Sequence, residues 1–182
     1  MKRRVSKTIT VVRDQHPESP RDWDNLGVMA CWHRRYNLGD KQPREAPDDW
    51  LEANASSGSV VLPLYLYDHS GITMRTRAFG DPWDSGQVGW IVASPDAIRK
   101  AFSCNRITKK TRARVEACLT AEVATYDAYL RGEVWGYVID AHGEEDAADS
   151  CFGFYGDDLH GVKAHVPESL HEELERAWES RQ

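Results

Sequence analysis

Residues 60–77, Val60-Val61-Leu62-Pro63-Leu64-Tyr65-Leu66-Tyr67-Asp68-His69-Ser70-Gly71-Ile72-Thr73-Met74-Arg75-Thr76-Arg77, decide how this chain folds. β-Branched, aliphatic and aromatic residues fill both flanks of a short polar loop, and the glycine that closes the loop supplies the left-handed residue needed by a type I turn with a bulge. The stretch predicts an antiparallel hairpin. A three-residue loop sets Asp68 opposite Ile72, so that Leu66 pairs with Met74 on one face and Tyr65 with Arg75 on the other. The first face is aliphatic and belongs in a core. The second carries Pro63, Tyr65, Tyr67, Thr73 and Arg75, and is either covered by a helix or free to offer rings and a guanidinium to a ligand. Pro63 has no N–H to give to a ladder, which predicts an edge position.

Working outward, residues 7–13, 26–32, 87–93, 133–141 and 150–155 read as further strands by their β-branched and aromatic content. Asp48 or Asp49 is placed to cap a short helix through Ala55, and Ser94-Pro95-Asp96 to open another through Phe102. A longer helix runs from Thr108 to a stop at Gly132, and an acidic one closes the chain from about Glu168. With about six strands, about four helices and no regular strand-helix alternation, the class is α+β with a mainly antiparallel sheet. The chain reads as a single domain, 1–182, with an N-terminal strand and loop (1–23) and an acidic C-terminal helical segment (157–182).

The composition agrees with that reading. At 182 residues, 41% hydrophobic and 29% charged, the chain can bury a core without disulfides or a structural metal. Its four cysteines, Cys31, Cys104, Cys118 and Cys151, form no CxxC pair and read as reduced thiols. The longest apolar run, residues 60–67, is too short to span a membrane, and residues 1–13 lack the apolar segment of a signal peptide. The expectation is a cytoplasmic protein that makes no membrane contact. The net charge of −6 conceals an uneven spread: residues 1–13 carry five Lys/Arg and residues 99–114 carry seven, both without an acid, whereas residues 133–182 hold 13 acids against three bases. A phosphate-binding protein needs only a local basic stripe, so the acidic total does not exclude nucleic acid.

The densest polar stretch is 21–40, which sets Asp22, Asp24, Asn25, His33, Arg34, Arg35, Tyr36 and Asp40 around one strand. Two carboxylates at i and i+2 resemble the opening of a calcium loop, but Leu26 stands where the third ligand is needed and the closing glutamate is missing. A looser oxygen site for magnesium or calcium would take Asp22, Asp24, Asp81 and Asp84. His33 and His69 are the histidines with suggestive neighbours, and His33, Arg34, Arg35, Tyr36, Tyr65 and Arg75 are the candidates for contact with a ligand or partner. Trp23, Trp32, Tyr36, Trp83 and Tyr155 lie beside Gly, Asp or Arg in loops, where a ring can bury apolar area and keep a polar tip wet. No P-loop, GxGxxG, HExxH or nucleophile elbow occurs. Glu122 breaks the apolar stripe of the long helix, amid Val115, Cys118, Leu119, Tyr126 and Tyr129. A carboxylate there needs a partner, and the paired arginines Arg34 and Arg35 are the expected source.

In the blocks DNLGVMACWHRRYNLGD (24–40), LPLYLYDHSGITM (62–74), PWDSGQVGWIVAS (82–94) and DSCFGFYG (149–156), the chain resembles a family of small proteins encoded by bacteriophages and mobile elements. The resemblance runs from about Asp24 to Gly156 and carries over no catalytic residue. It implies a setting, that of an accessory protein, outside the virion, made in a host bacterium, and proteins of that setting often bind or block host factors, defence machinery included. Two functions of different class follow. One is a protein that binds or inhibits a host protein, or takes a nucleotide-type ligand. The other is a metal-assisted hydrolase or phosphoesterase on the aspartates, with His33 or His69.

Overall fold

The hairpin forms as read, in a computed structural model that describes residues 6–142 and 149–181. The strands are β1 (Ser6–Arg13), β2 (Val28–Cys31), β3 (Val60–Asp68), β4 (Ile72–Arg75), β5 (Ser85–Ala93), β6 (Val134–His142) and β7 (Asp149–Tyr155). The α-helices are α1 (Pro47–Asn54), α2 (Pro95–Phe102), α3 (Lys109–Leu130), α4 (Leu159–Lys163) and α5 (His171–Glu179), with 3-10 turns at Pro20–Asp22 and Glu168–Leu170. β3 and β4 pair with Tyr65 opposite Arg75, Leu66 opposite Met74 and Asp68 opposite Ile72. Leu66 and Met74 are 2% and 1% exposed, so the aliphatic face is the core face. Ser70 and Gly71 both take positive φ in the turn.

The fold is α+β and its strands are antiparallel, as the sequence predicts, but they form two sheets rather than one: β1-β6-β7 and β2-β5-β3-β4. Contacts cluster in the same way, into a unit of residues 19–131 and a unit of residues 1–18 with 132–182. The difference from a one-sheet reading is one of pairing. Every strand has the same period-2 pattern, and nothing in that pattern says which partner it takes.

In the 19–131 unit, α3 packs on one face of the sheet and α1 on the other. Val115, Leu119, Val123 and Tyr126 of α3 meet Met29, Leu64, Leu66, Met74 and Ile91. Trp50 of α1 meets Ala30 and Val92 on the opposite face. The helix ends are set by local chemistry. Ser94 caps α2 by accepting the Ala97 amide at 3.2 Å, and Thr108 caps α3 by accepting the Thr111 amide at 3.1 Å. Gly132, at φ +67°, follows the end of α3. α1 corrects the capping expectation: Ala46 is the cap residue and Pro47 opens the helix, which puts Asp48 and Asp49 in the first turn, where they face its positive end. β3 is an inner strand, yet β4 stops opposite Tyr65 and does not reach Pro63, so the proline sits at a locally open edge.

In the other unit, Ile9, Trp135, Tyr137, Ile139 and Phe154 form one sheet face, against Val162, Val166, Leu170, Leu174 and Trp178. α4 was not legible as a helix in the sequence; it is one short turn capped by Asp158 through the Gly161 amide at 2.9 Å. Of the polar loop read between the last two strands, residues 143–148 lie outside the described residues, as do residues 1–5 of the basic N-terminal run.

Gly89 is where the larger sheet tolerates no side chain. A Cβ there would lie 2.0 Å from the Ala30 carbonyl oxygen, whereas one at Gly86 would meet nothing within 4 Å. The Gly89→Ala substitution is expected to destabilise the protein by about 3 kcal/mol or more, since the obstacle is backbone and cannot rotate away. Gly86→Ala should leave the melting temperature in place, and thermal unfolding of the pair checks both.

Candidate functional site

Two polar assemblies lie in the 19–131 unit, one inside it and one at the turn end of the hairpin. The inner one centres on Arg21, in the 3-10 turn. Its Nε and Nη2 donate to the two oxygens of Asp40 at 2.9 and 2.7 Å, its Nη1 to Glu122 at 3.2 Å, and Nη2 also to the Gly27 carbonyl at 2.6 Å. Glu122 accepts the amides of Leu26 and Gly27 at 2.8 and 3.3 Å, and Asp40 accepts that of Met29 at 2.7 Å. The side chains of Arg21 and Glu122 are 5% and 12% exposed. Burial works against the charge of Arg21, but hydrogen bonds and attraction from Asp40 and then Glu122 outweigh it, so its pKa is raised.

The partner of Glu122 is therefore Arg21, not Arg34 or Arg35. The 3-10 turn lays Arg21 beside α3, while Arg35 is spent elsewhere and Arg34 is exposed. The same assembly silences Cys31, whose thiol is pushed up to about 12, first by burial and then by the nearby Asp40 charge. Tyr126 closes the assembly by accepting the Gly39 amide at 3.0 Å.

The second assembly surrounds the hairpin turn. Arg35 is ion-paired with Asp68 and remains 67% exposed, and the Tyr36 hydroxyl reaches the other Asp68 oxygen at 3.4 Å. His33 stacks on Tyr36 with centroids 4.9 Å apart, and its Nδ1 accepts the amides of Arg35 and Tyr36 at 3.3 and 3.2 Å. The ring thus shapes its own loop. His69 contacts Asp84 at 2.9 Å, and the Asp68 amide donates to the Asp84 carbonyl at 2.8 Å, which ties the 81–84 turn to the hairpin. Asp81 accepts the amides of Trp83 and Asp84 at 2.8 and 3.1 Å, and the Asp84 and Trp83 amides together lower its pKa. Above this braced turn stands Trp83, 91% exposed.

The structure thus gathers His33, Arg35, Tyr36, Asp81 and Asp84 around His69 and Asp68. Tyr65 and Arg75 are a cross-strand pair as expected, but the Arg75 guanidinium lies 3.7 Å over Phe79 and donates to the carbonyls of Arg77 and Ala78, so it organises the loop after β4. Asp22 and Asp24 stand in and just after the 3-10 turn, exposed, and form no metal-holding group with Asp81 and Asp84. Among the described residues, no group of three or more His, Cys, Asp or Glu could hold a metal ion. The physical reason is local: Asp81 is committed to its turn and Asp84 to His69. Asp68, Asp40 and Arg21 lie in stretches that the sequence reading marked as polar or as a turn, but it did not assign them to the site. The only available signal was position, Asp68 at the end of a hairpin strand and Asp40 at the end of the HRRYNLGD stretch.

In the same unit, Trp32, Pro47, Gln87, Val88 and Trp90 line a cleft of about 320 Å³. The Trp32 indole donates to the Glu45 carbonyl at 2.8 Å, whereas the shielded Trp90 Nε1 has no hydrogen-bond partner among the described residues. No helix among the described residues is long and apolar enough to cross a membrane. No family model matches the chain, and no curated protein or solved structure shows significant similarity to it.

Two measurements test this description. Glu122→Ala should cost about 3 to 5 kcal/mol, because it takes from the buried Arg21 one of its two carboxylate partners and leaves two amides unpaired. Glu116→Ala, on the exposed side of α3, should be silent in the same thermal melt. For Cys31 the folded thiol keeps its proton well above the unfolded value of 9.0, so its stabilisation is complete below pH 9 and is lost as pH rises towards about 12. At pH 8, iodoacetamide should accordingly label Cys104 and Cys151 in the native protein and reach Cys31 only after unfolding.

Proposed function

We propose that this protein binds a protein of a host bacterium, defence machinery being the class its resemblance suggests, and occupies that partner rather than converting it. The docking surface is the hairpin end of the 19–131 unit, where Arg34, Arg35, Tyr36, His69 and Trp83 stand around the Asp68 and Asp84 ties. The observation that carries the reading is Trp83: an indole 91% exposed on a turn whose backbone is held by Asp81. A large rigid ring and exposed arginines are the residue types of interface hot spots, and a pre-shaped turn lowers the entropy lost on docking. Arg35 keeps two-thirds of its side chain exposed even while ion-paired, so it can meet a partner without breaking Asp68 free.

A second reading, a nucleotide-type ligand, is favoured by the cleft between Trp32, Pro47 and Trp90. Its volume is at the lower end of small-molecule sites, and its indole walls suit a flat ring.

The test is affinity capture from bacterial lysate with the full chain, Trp83→Ala and the control Trp23→Ala. Trp83→Ala should melt with the parent protein, since its ring makes little of the core, and should lose the captured protein by about 30-fold, the loss of a hot spot worth about 2 kcal/mol. Equal capture by all three proteins would remove the hairpin end as the docking surface. A thermal shift on adding adenosine, abolished by Trp32→Ala, would favour the second reading.

A further inference from the structure

Residues 99–114 carry seven Lys/Arg and no acid, and the structure divides them into two kinds. Arg99 pairs with Asp96 at 2.9 Å, Arg112 donates to the Ser59 carbonyl at 3.2 Å, and Arg114 lies 4.9 Å over the Phe102 ring. These three are accounted for by the fold. Lys100, Arg106, Lys109 and Lys110 are exposed and make no ion pair among the described residues.

Their placement is electrically uneven. α2 follows the rule for a helix dipole, with Asp96 in its first turn and Arg99 and Lys100 in its last. α3 breaks it: its first turn holds Lys109 and Lys110 and no acid, so two cations sit against the positive end of a 22-residue helix. Arg106, in the elbow between the helices, adds to the same field. Stability alone would place Asp or Glu there. A local rule broken without internal compensation is expected where an outside charge completes the arrangement.

The charge of the whole chain does not oppose this. The 19–131 unit has 15 Lys/Arg against 14 Asp/Glu, so the acidic excess belongs to the other unit. We infer that the α2–α3 elbow, through Lys100, Arg106, Lys109 and Lys110, binds the phosphate backbone of duplex DNA without reading its sequence. Exposed cations at the end of α2, in the elbow and at the start of α3 can meet successive phosphates of a regular array. Unpaired strands would also need exposed rings for stacking, and the large exposed apolar residues, Trp23, Val28, Trp83 and Phe152, all lie outside 99–114. This surface is separate from the hairpin end, and its test does not depend on the partner proposed there.

The experiment is fluorescence anisotropy of a labelled 20-base-pair duplex titrated with the full chain and with the double variant Lys109→Gln/Lys110→Gln. Four neutralised phosphates give a log–log salt slope of about −3.6, so affinity should fall roughly 150-fold between about 50 and 200 mM salt. The double variant should flatten that slope by about 1.8 while its melting temperature holds or rises, because two like charges leave the helix N-terminus. Falling affinity with unchanged or rising stability is the signature that a structural role of the lysines would not produce. No saturable duplex binding at 50 mM salt, or a slope the variant does not change, overturns the inference. So does equal competition by polyglutamate at matched charge, which would make the elbow a site for an acidic protein.

Discussion

One guanidinium holds the larger unit together. Arg21 is almost wholly buried and binds two carboxylates and a carbonyl from segments that are 6, 19 and 101 positions away. Removing three ions from water costs several kcal/mol each, and attraction between them repays that only where the remaining hydrogen-bonding capacity is used. Here it is used: Glu122 takes two backbone amides and Asp40 a third. The amides belong to the entry of β2, a strand of four residues that has β5 on one side only. Its other edge is met by Asp40 and Lys41, whose amides donate to Met29 while the Cys31 amide donates back to Lys41. The ion cluster therefore both starts β2 and closes its edge, which an unprotected short strand could not do for itself.

The shape of the hairpin end depends on that cluster. The loop from His33 to Asp40 is anchored at its far end by Asp40 on Arg21 and by Gly39 on Tyr126, with Leu38 buried between. At its near end Arg35 and Tyr36 reach Asp68, and His33 folds onto the loop's own amides. A loop fixed at both ends presents its exposed groups in one arrangement, and its ordering entropy is met on folding rather than on binding. The free edge of the hairpin is treated in the same way, since the Met74 amide of β4 is taken by Asp127 of α3 at 2.7 Å.

What could be read in the sequence was whatever is decided locally. The hairpin register follows from loop length and alternation, and α2 and α3 begin at the serine and threonine whose side chains cap them. The anomaly at Glu122 was legible for the same reason, because a helical stripe reports the face of each residue. Its partner was not. Arg21 lies in a loop rich in Asp and Pro, with no periodicity to give it a direction, and Arg34-Arg35 beside aromatic residues made the stronger local signal. The gathering of Asp81 and Asp84 near His69 is likewise a matter of strand pairing. Seven strands with similar alternation do not state that they form two sheets.

The two units also differ in how they spend charge. In the unit of residues 1–18 and 132–182, two acids are tied to the fold by hydrogen bonds: Asp157 accepts from the Trp178 indole and Arg181, Glu175 pairs with Lys163, and each carboxylate is held below its usual range, foremost by those hydrogen bonds. In the 19–131 unit, Arg21, Asp40 and Glu122 are absorbed, but Arg34, Lys100, Arg106, Lys109 and Lys110 are left to water. Water alone solvates a lysine well, so exposure by itself says little. The position of Lys109 and Lys110 at a helix N-terminus says more, because there a cation is worse placed than almost anywhere else on a helix surface. Trp83 is the apolar counterpart, a large ring outside the core on a turn that the fold takes care to brace. Each runs against the rule that governs its neighbours. In a chain whose other elements follow local propensity closely, these two exceptions are what the proposed binding surfaces rest on.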